Sequence, residues 1–481
     1  MTAGLVASCS LGLDESKIGA GDDGGLAEDS STIDNAAADA RDTAPPPINP
    51  EGGVCTKDED CKGTKDCVTA RCDVPRKACV FTVCRETACN SAACNGGTTC
   101  AAPRPYKYRA AQFPVAGPIG CGGALGRCFA AVYPFVFVGT PIGVTAYSAV
   151  DPQATTPTVV PLTGLDFVPV QMVASGSRVF FLGPPQGTTT TARVPIAYVD
   201  VPPDPFATSI PVQTILATYP RSKDDAIALF PRGSDTALLV NSTGPNFPSA
   251  KIEPPLTEPL TLTPFTITSA IGDVPYGVSG TRLVMGQNTG TGVTQFAFVP
   301  NAGDTGAAAT AAVPIPTATP GIGPFYFAQS ADGAFAWSYV SLTTAPPGPP
   351  PPTVRAARVY LLTAGGEAAF DPASGVDVEV YPNLPLGTPA AGPIAMLDAN
   401  RAMVLTSLPA NPGNSTNVSF VTRTPLGLVK NGDNTPRRSP INLPVTQLAA
   451  AGSNGLGYVL AVDPAAPTTP SVYVFDPGCA P

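Results

Sequence analysis

The sequence predicts an all-β fold, a seven-bladed β-propeller, preceded by an extended acidic segment and a small disulfide-rich module. Three observations carry this. Proline (58) and glycine (48) together exceed a fifth of the 481 residues, which opposes long helices and favours short strands joined by tight turns. Apolar residues make up 43% of the chain, enough to build a core. From about residue 110, a polar turn followed by a short apolar run recurs seven times.

The seven units begin with Pro134–Gly139, followed by Val144–Ser148. Ser175–Leu182 with Pro195–Asp200 is the second, and Gly233–Val240 the third. Ser279–Met285 with Gln295–Val299 and Ser330–Trp337 with Ala357–Leu362 form the fourth and fifth. Asp398–Leu405 with Val418–Val421 and Ser453–Leu460 with Ser471–Asp476 complete the set. Each run is short, β-branched or aromatic, and bounded by turn formers, so each reads as a strand. Several are apolar at successive positions, as a strand must be when both its faces are covered. Blades packed between neighbouring blades supply that setting, and the spacing of roughly 45–67 residues is close to a propeller period. Six or eight blades, or a β-sandwich array, remain open alternatives. The fifth unit, Ser330-Ala331-Asp332-Gly333-Ala334-Phe335-Ala336-Trp337, resembles the turn-plus-strand of TolB/WD40-like propellers. It also approaches the sialidase Asp box, with its glycine one place early. The segments between units at 184–194, 243–265, 300–324, 344–353 and 408–417 are proline-rich and expected as loops.

The charge is concentrated at one end. Residues 1–54 carry ten acidic and two basic side chains, a net of −8, against −9 for the whole chain. Residues 10–54 hold almost no large apolar side chains, so burial cannot offset their ordering entropy, and an extended, self-repelling tether is expected. The rest is nearly neutral with no basic stripe, which argues against a nucleic-acid partner.

Leu5-Val6-Ala7-Ser8-Cys9-Ser10 resembles a bacterial lipobox, in which the cysteine becomes the lipidated first residue. The resemblance implies a membrane partner through a lipid anchor on Cys9. Only eight residues precede Cys9 and none is Lys or Arg, so residues 1–9 read as the remnant of a signal segment whose basic, apolar part precedes Met1. The expected setting is the outer membrane or cell surface, or otherwise secreted or periplasmic.

Residues 55–105 form the cysteine module. Cys55, Cys61, Cys67, Cys72, Cys79, Cys84, Cys89, Cys94 and Cys100 follow one another closely, and Cys121, Cys128 and Cys479 bring the set to twelve beside Cys9. An even number, few apolar residues, no C-x2-C pair and no histidine point to disulfides, with no metal expected. Connectivity stays open. Disulfides persist in oxidising compartments, which agrees with export. The stretch GGVCTKDEDCKGTKDCVTARCD resembles the Cys-rich modules of secreted myxobacterial lipoproteins and implies a surface setting. A bridge from Cys479 to Cys121, Cys128 or the module is expected to join the two ends of residues 110–481, the propeller domain.

Candidate chemistry is sparse. Without histidine the chain lacks the commonest general base and metal ligand. No Gly-x-Ser-x-Gly, Walker loop, HExxH or Rossmann fingerprint occurs. Asp224-Asp225 reads as an exposed turn with a carboxylate site as the rival, Asp58-Glu59-Asp60 as a solvated loop with weak calcium binding as the rival, and Asp332 as a turn cap. Trp337 reads as core with a ligand platform as the rival, Arg437-Arg438 as a surface pair, and Pro346–Pro352 as a stiff spacer with docking as the rival. No catalytic residue and no cofactor are expected. The function expected is a non-catalytic surface binding or scaffold protein, monomeric, with a protein or glycan ligand at the propeller loops. The alternative is an extracellular carbohydrate-active hydrolase or lyase using Asp/Glu pairs, which would need two carboxyls about 5–9.5 Å apart in a cleft.

Overall fold

The computed structural model describes residues 56–57, 60, 68–73, 78–83, 109–120, 125–148, 158–187, 192–202, 207–219, 227–233, 235–241, 246–254, 265–268, 274–288, 293–301, 313–314, 326–330, 335–344, 353–362, 375–382, 391–407, 416–424, 427–431 and 441–477. Residues 1–9 and 10–54 lie outside them, as do Cys9, Cys55, Cys61, Cys67, Cys84, Cys89, Cys94, Cys100, Cys121 and Cys479. The chain divides into two units, one of residues 1–112, 150–154 and 474–481, the other of residues 113–149 and 155–473.

In the first unit, Val68–Asp73 and Ala78–Val83 pair antiparallel as a hairpin, with Cys72 opposite Cys79. Cys72 is buried and disulfide-bonded. At the turn before it, Asp60 Oδ2 accepts from the Thr56 amide and hydroxyl, both at 2.8 Å, and from the Lys57 amide at 3.2 Å. The Thr56 amide, then its hydroxyl, hold the Asp60 carboxyl below its usual range. This carboxylate caps its own turn; Asp58 and Glu59 lie outside the described residues.

From residue 109 onward, antiparallel sheets follow one another along the chain, beside one short parallel pair, Leu162–Thr163 with Ile210–Pro211. The first contains Phe129–Val132, Phe135–Thr140, Gly143–Ser148 and Val159–Val160. The second contains Gln171–Ser175, Arg178–Leu182 prolonged by Gln186–Gly187, Ala192–Asp200 and Gln213–Tyr219. The third runs Ile227–Gly233, Thr236–Asn241, Asn246–Ile252, Phe265–Thr268, and the fourth Val274–Ser279, Arg282–Asn288, Val293–Val299, Val313–Pro314. The fifth runs Tyr326–Gln329, Phe335–Thr344, Thr353–Leu362, Val376–Pro382, and the sixth Ala391–Asp398, Arg401–Ser407, Thr416–Thr424, Gly427–Asn431. The last takes Leu448–Ser453, Leu456–Ala461 and Ser471–Asp476, and its fourth strand is Arg109–Pro114, from before the first sheet.

The first strand of each sheet touches the first strand of the next, and that of the last returns to that of the first. This closed succession of four-stranded meanders is a β-propeller. The expected bridge from Cys479 lies outside the described residues; among those described, a strand joins the ends. Val115 N–H donates to Pro470 O (2.9 Å), Ala116 N–H donates to Tyr147 Oη (3.0 Å), and Phe113 is buried against Tyr147 at 5.7 Å between ring centroids.

The second strands are the expected apolar runs. Phe135–Thr140 and Leu456–Ala461 are buried at every position, because each blade face is covered by a neighbour. Phe137 and Phe181 meet between the first and second blades, at 6.4 Å. Phe180, Leu239 and Ile252 belong to the core between the second and third, and Leu238 and Leu283 to that between the third and fourth. Phe296 and Phe327 meet at 6.0 Å between the fourth and fifth, and Val359 and Met396 share the core between the fifth and sixth.

The loop expectations are corrected in part. Residues 243–265 contain the strand Asn246–Ile252, whose Pro248 disguises it, since proline lacks the ladder donor. Strand residues also occur at 186–187 and 192–194, at 313–314 and at 416–417, within the other expected loops. Among the described residues, no helix is long and apolar enough to cross a membrane.

Candidate functional site

Among the described residues, a polar cluster lies where the second and third blades meet. Two-residue hairpins build it: Gly176-Ser177 links Ser175 to Arg178, with Gly176 at φ 60°. The corresponding turn of the third blade ends on Asp235, itself at φ 60°. A Cβ on Gly176 would collide with the Asp235 carboxylate, so glycine is needed there for space as well as for its backbone.

Asp235 Oδ1 accepts from the Ser177 amide (2.5 Å) and the Ser177 hydroxyl (2.9 Å). Buried Ser175 donates its hydroxyl to Thr236 O (2.7 Å) and accepts from Gly233 N–H (3.0 Å). Arg178 Nη1 donates to Asp235 O (3.1 Å), its Nε pairs with Asp200 Oδ1 (2.5 Å), and its guanidinium stands 5.4 Å from the Tyr198 ring centroid. Burial first, then the Asp200 charge, raises the Tyr198 phenol, with Arg178 opposing. Farther along the seam, the Gln171 amide donates to Leu229 O (2.7 Å) and accepts from Leu229 N–H (2.9 Å), bridging the two inner strands.

Other blades repeat this use of polar groups. Tyr133 N–H donates to Ser453 Oγ (2.9 Å), joining the first blade to the last, and Gly455 N–H donates to Leu397 O (2.9 Å). Asp398 Oδ1 accepts from Asn400 N–H (2.9 Å), while its Oδ2 pairs with Arg401 Nε at 2.7 Å. Arg358 Nε lies 3.7 Å from Asp377 Oδ1. Burial lowers the Arg423 guanidinium. The serines read in the sequence as turn formers therefore include two, Ser175 and Ser453, that clasp the next blade.

Ser175→Ala would leave the Gly233 N–H and Thr236 C=O without this partner in a buried seam. A loss of about 1–3 kcal/mol is expected, read from the urea midpoint.

The other sequence candidates distribute as follows. Trp337 lies on Phe335–Thr344, opposite Phe327 and Tyr360 in register. Cys128 is buried just before the first blade, its N–H donating to Leu125 O at 3.0 Å. Asp224, Asp225, Asp332, Arg437, Arg438 and Pro346–Pro352 lie outside the described residues. Among the described residues, no group of three or more His, Cys, Asp or Glu is placed to hold a metal ion. The Asp200, Asp235 and Asp398 carboxylates each accept from donors of this same chain.

No family model and no curated protein matches this chain. Solved structures give loose overlaps. The AfRom2 CNH domain aligns at 12% identity and TM-score 0.37, over 76% of this chain and 99% of that one. The WD40 domain of SCAP from fission yeast aligns at 7% and 0.33, over 86% and 88%. The N-terminal domain of Nup159 aligns at 8% and 0.34, over 78% and 97%. The propeller rests on the strand pairing above.

Burial raises the phenols of Tyr147, Tyr198, Tyr326 and Tyr473. The protonated phenol is thus favoured by folding. Its contribution is fully present below the unfolded value of about 10 and is lost as pH rises through the folded value. With no histidine in the chain, the urea midpoint should stay level from about pH 6 to 8 and fall above about pH 10. A step between pH 6 and 7 would contradict this.

Proposed function

We propose that this chain is an exported, lipid-anchored surface protein whose propeller is a binding or scaffold platform without a reaction of its own. One observation supports the scaffold reading: among the described residues, the polar groups at the blade seams hold backbone and side chains of the same chain together. Ser175, Arg178, Asp235 and Ser453 do so by name. The partner is a protein or glycan at the loops of the ring, where propellers commonly bind. The export half of the reading is supported by the Cys9 lipobox resemblance, the acidic tether and the cysteine density.

The test expresses the gene with its natural upstream sequence in a bacterial host and fractionates the cells. The protein should sediment with membranes and carry a thioether-linked diacylglycerol on Cys9, and Cys9→Ser should release it. Recovery of the unsubstituted protein from the cytosol, unlipidated and with its thiols reduced, would overturn the reading.

A further inference from the structure

We infer that Cys72 and Cys79 form a disulfide bridge across the hairpin Val68–Asp73/Ala78–Val83. The inference rests on the proposed exported setting, which supplies the oxidising environment. The hairpin register sets Cys72 directly opposite Cys79, with Arg71↔Val80 on one side and Asp73↔Ala78 on the other. Directly opposed residues of an antiparallel pair have Cα atoms about 4.5–5.5 Å apart and project to one face, within the span a disulfide accepts. Cys72 is buried and already disulfide-bonded.

A competing cysteine would have to bring its Cα within about 7 Å of Cys72. Cys79 is held opposite by the ladder itself. Forming the bridge releases two protons and passes two electrons to a disulfide-form oxidant through thiol–disulfide exchange. The bridge closes a short local loop, so the hairpin would be locked without reference to the rest of the module.

The experiment alkylates the full-length native protein at acid pH without reduction and digests it with trypsin and chymotrypsin. Cleavage after Arg71, Arg76, Lys77 and Phe81 separates Cys72 from Cys79, and Cys79 from Cys84. Cys72–Arg76 should be recovered joined to Ala78–Phe81 and should separate on reduction. In Cys79→Ser, Cys72 should become alkylated while the other bridges persist. Cys72 joined to a different cysteine overturns this pairing and leaves export standing. Complete alkylation of all the cysteines in the native protein overturns the exported setting and the bridge together.

Discussion

Removing residues 1–114 should open the propeller, whereas removing residues 1–105 should leave it closed. The difference is the strand Arg109–Pro114, fourth strand of the sheet that ends on Ser471–Asp476. Without it, the outer edge of Ser471–Asp476 loses its ladder partner. The buried Phe113 goes with it, and the Val115 nitrogen that donates to Pro470 becomes the new chain terminus. Phe113→Ala in the full chain should alone cost about 3–5 kcal/mol, the usual loss for a buried phenylalanine, and the shorter truncation should cost less than this. Urea unfolding followed by circular dichroism reads all three. Equal midpoints for the two truncations would show that the ring does not depend on this strand.

The second large effect is expected at Gly452, on the first strand of the last blade. A Cβ there would penetrate the Met396 carbonyl of the preceding blade and approach Leu397 Cα at 3.1 Å. These are backbone atoms of a paired strand and cannot turn aside as a side-chain end can. Overpacking of this kind commonly costs about 1–3 kcal/mol, and Gly452→Ala is expected at about 3 kcal/mol or more. Gly126→Ala is the control, because a Cβ there meets nothing within 4 Å. It should be neutral or slightly stabilising. Similar midpoints for the two variants would mean that the blades separate at little cost.

The strands legible in the sequence were those with both faces covered. Val179–Leu182, Ala237–Val240 and Leu456–Ala461 are continuous runs of buried residues because a blade lies against each side. The outer strands Val313–Pro314 and Gly427–Asn431 are short or polar and gave no comparable signal. Asn246–Ile252 was hidden by its proline. The polar seam was less legible still. Ser175, Asp235 and Ser453 announce a turn, and nothing in their neighbouring residues says that they reach another blade.

Composition and local pattern alone determined the all-β character, the central strands and the separation of a Cys-rich, apolar-poor region from the repeats, because each depends on residues close in sequence. Tertiary structure decided how the ring closes and which polar groups clasp it. Those contacts join residues as far apart as Tyr133 and Ser453, 320 positions along the chain. A hydrogen bond across that interval depends on the path of all the intervening blades, which no local run of side chains records.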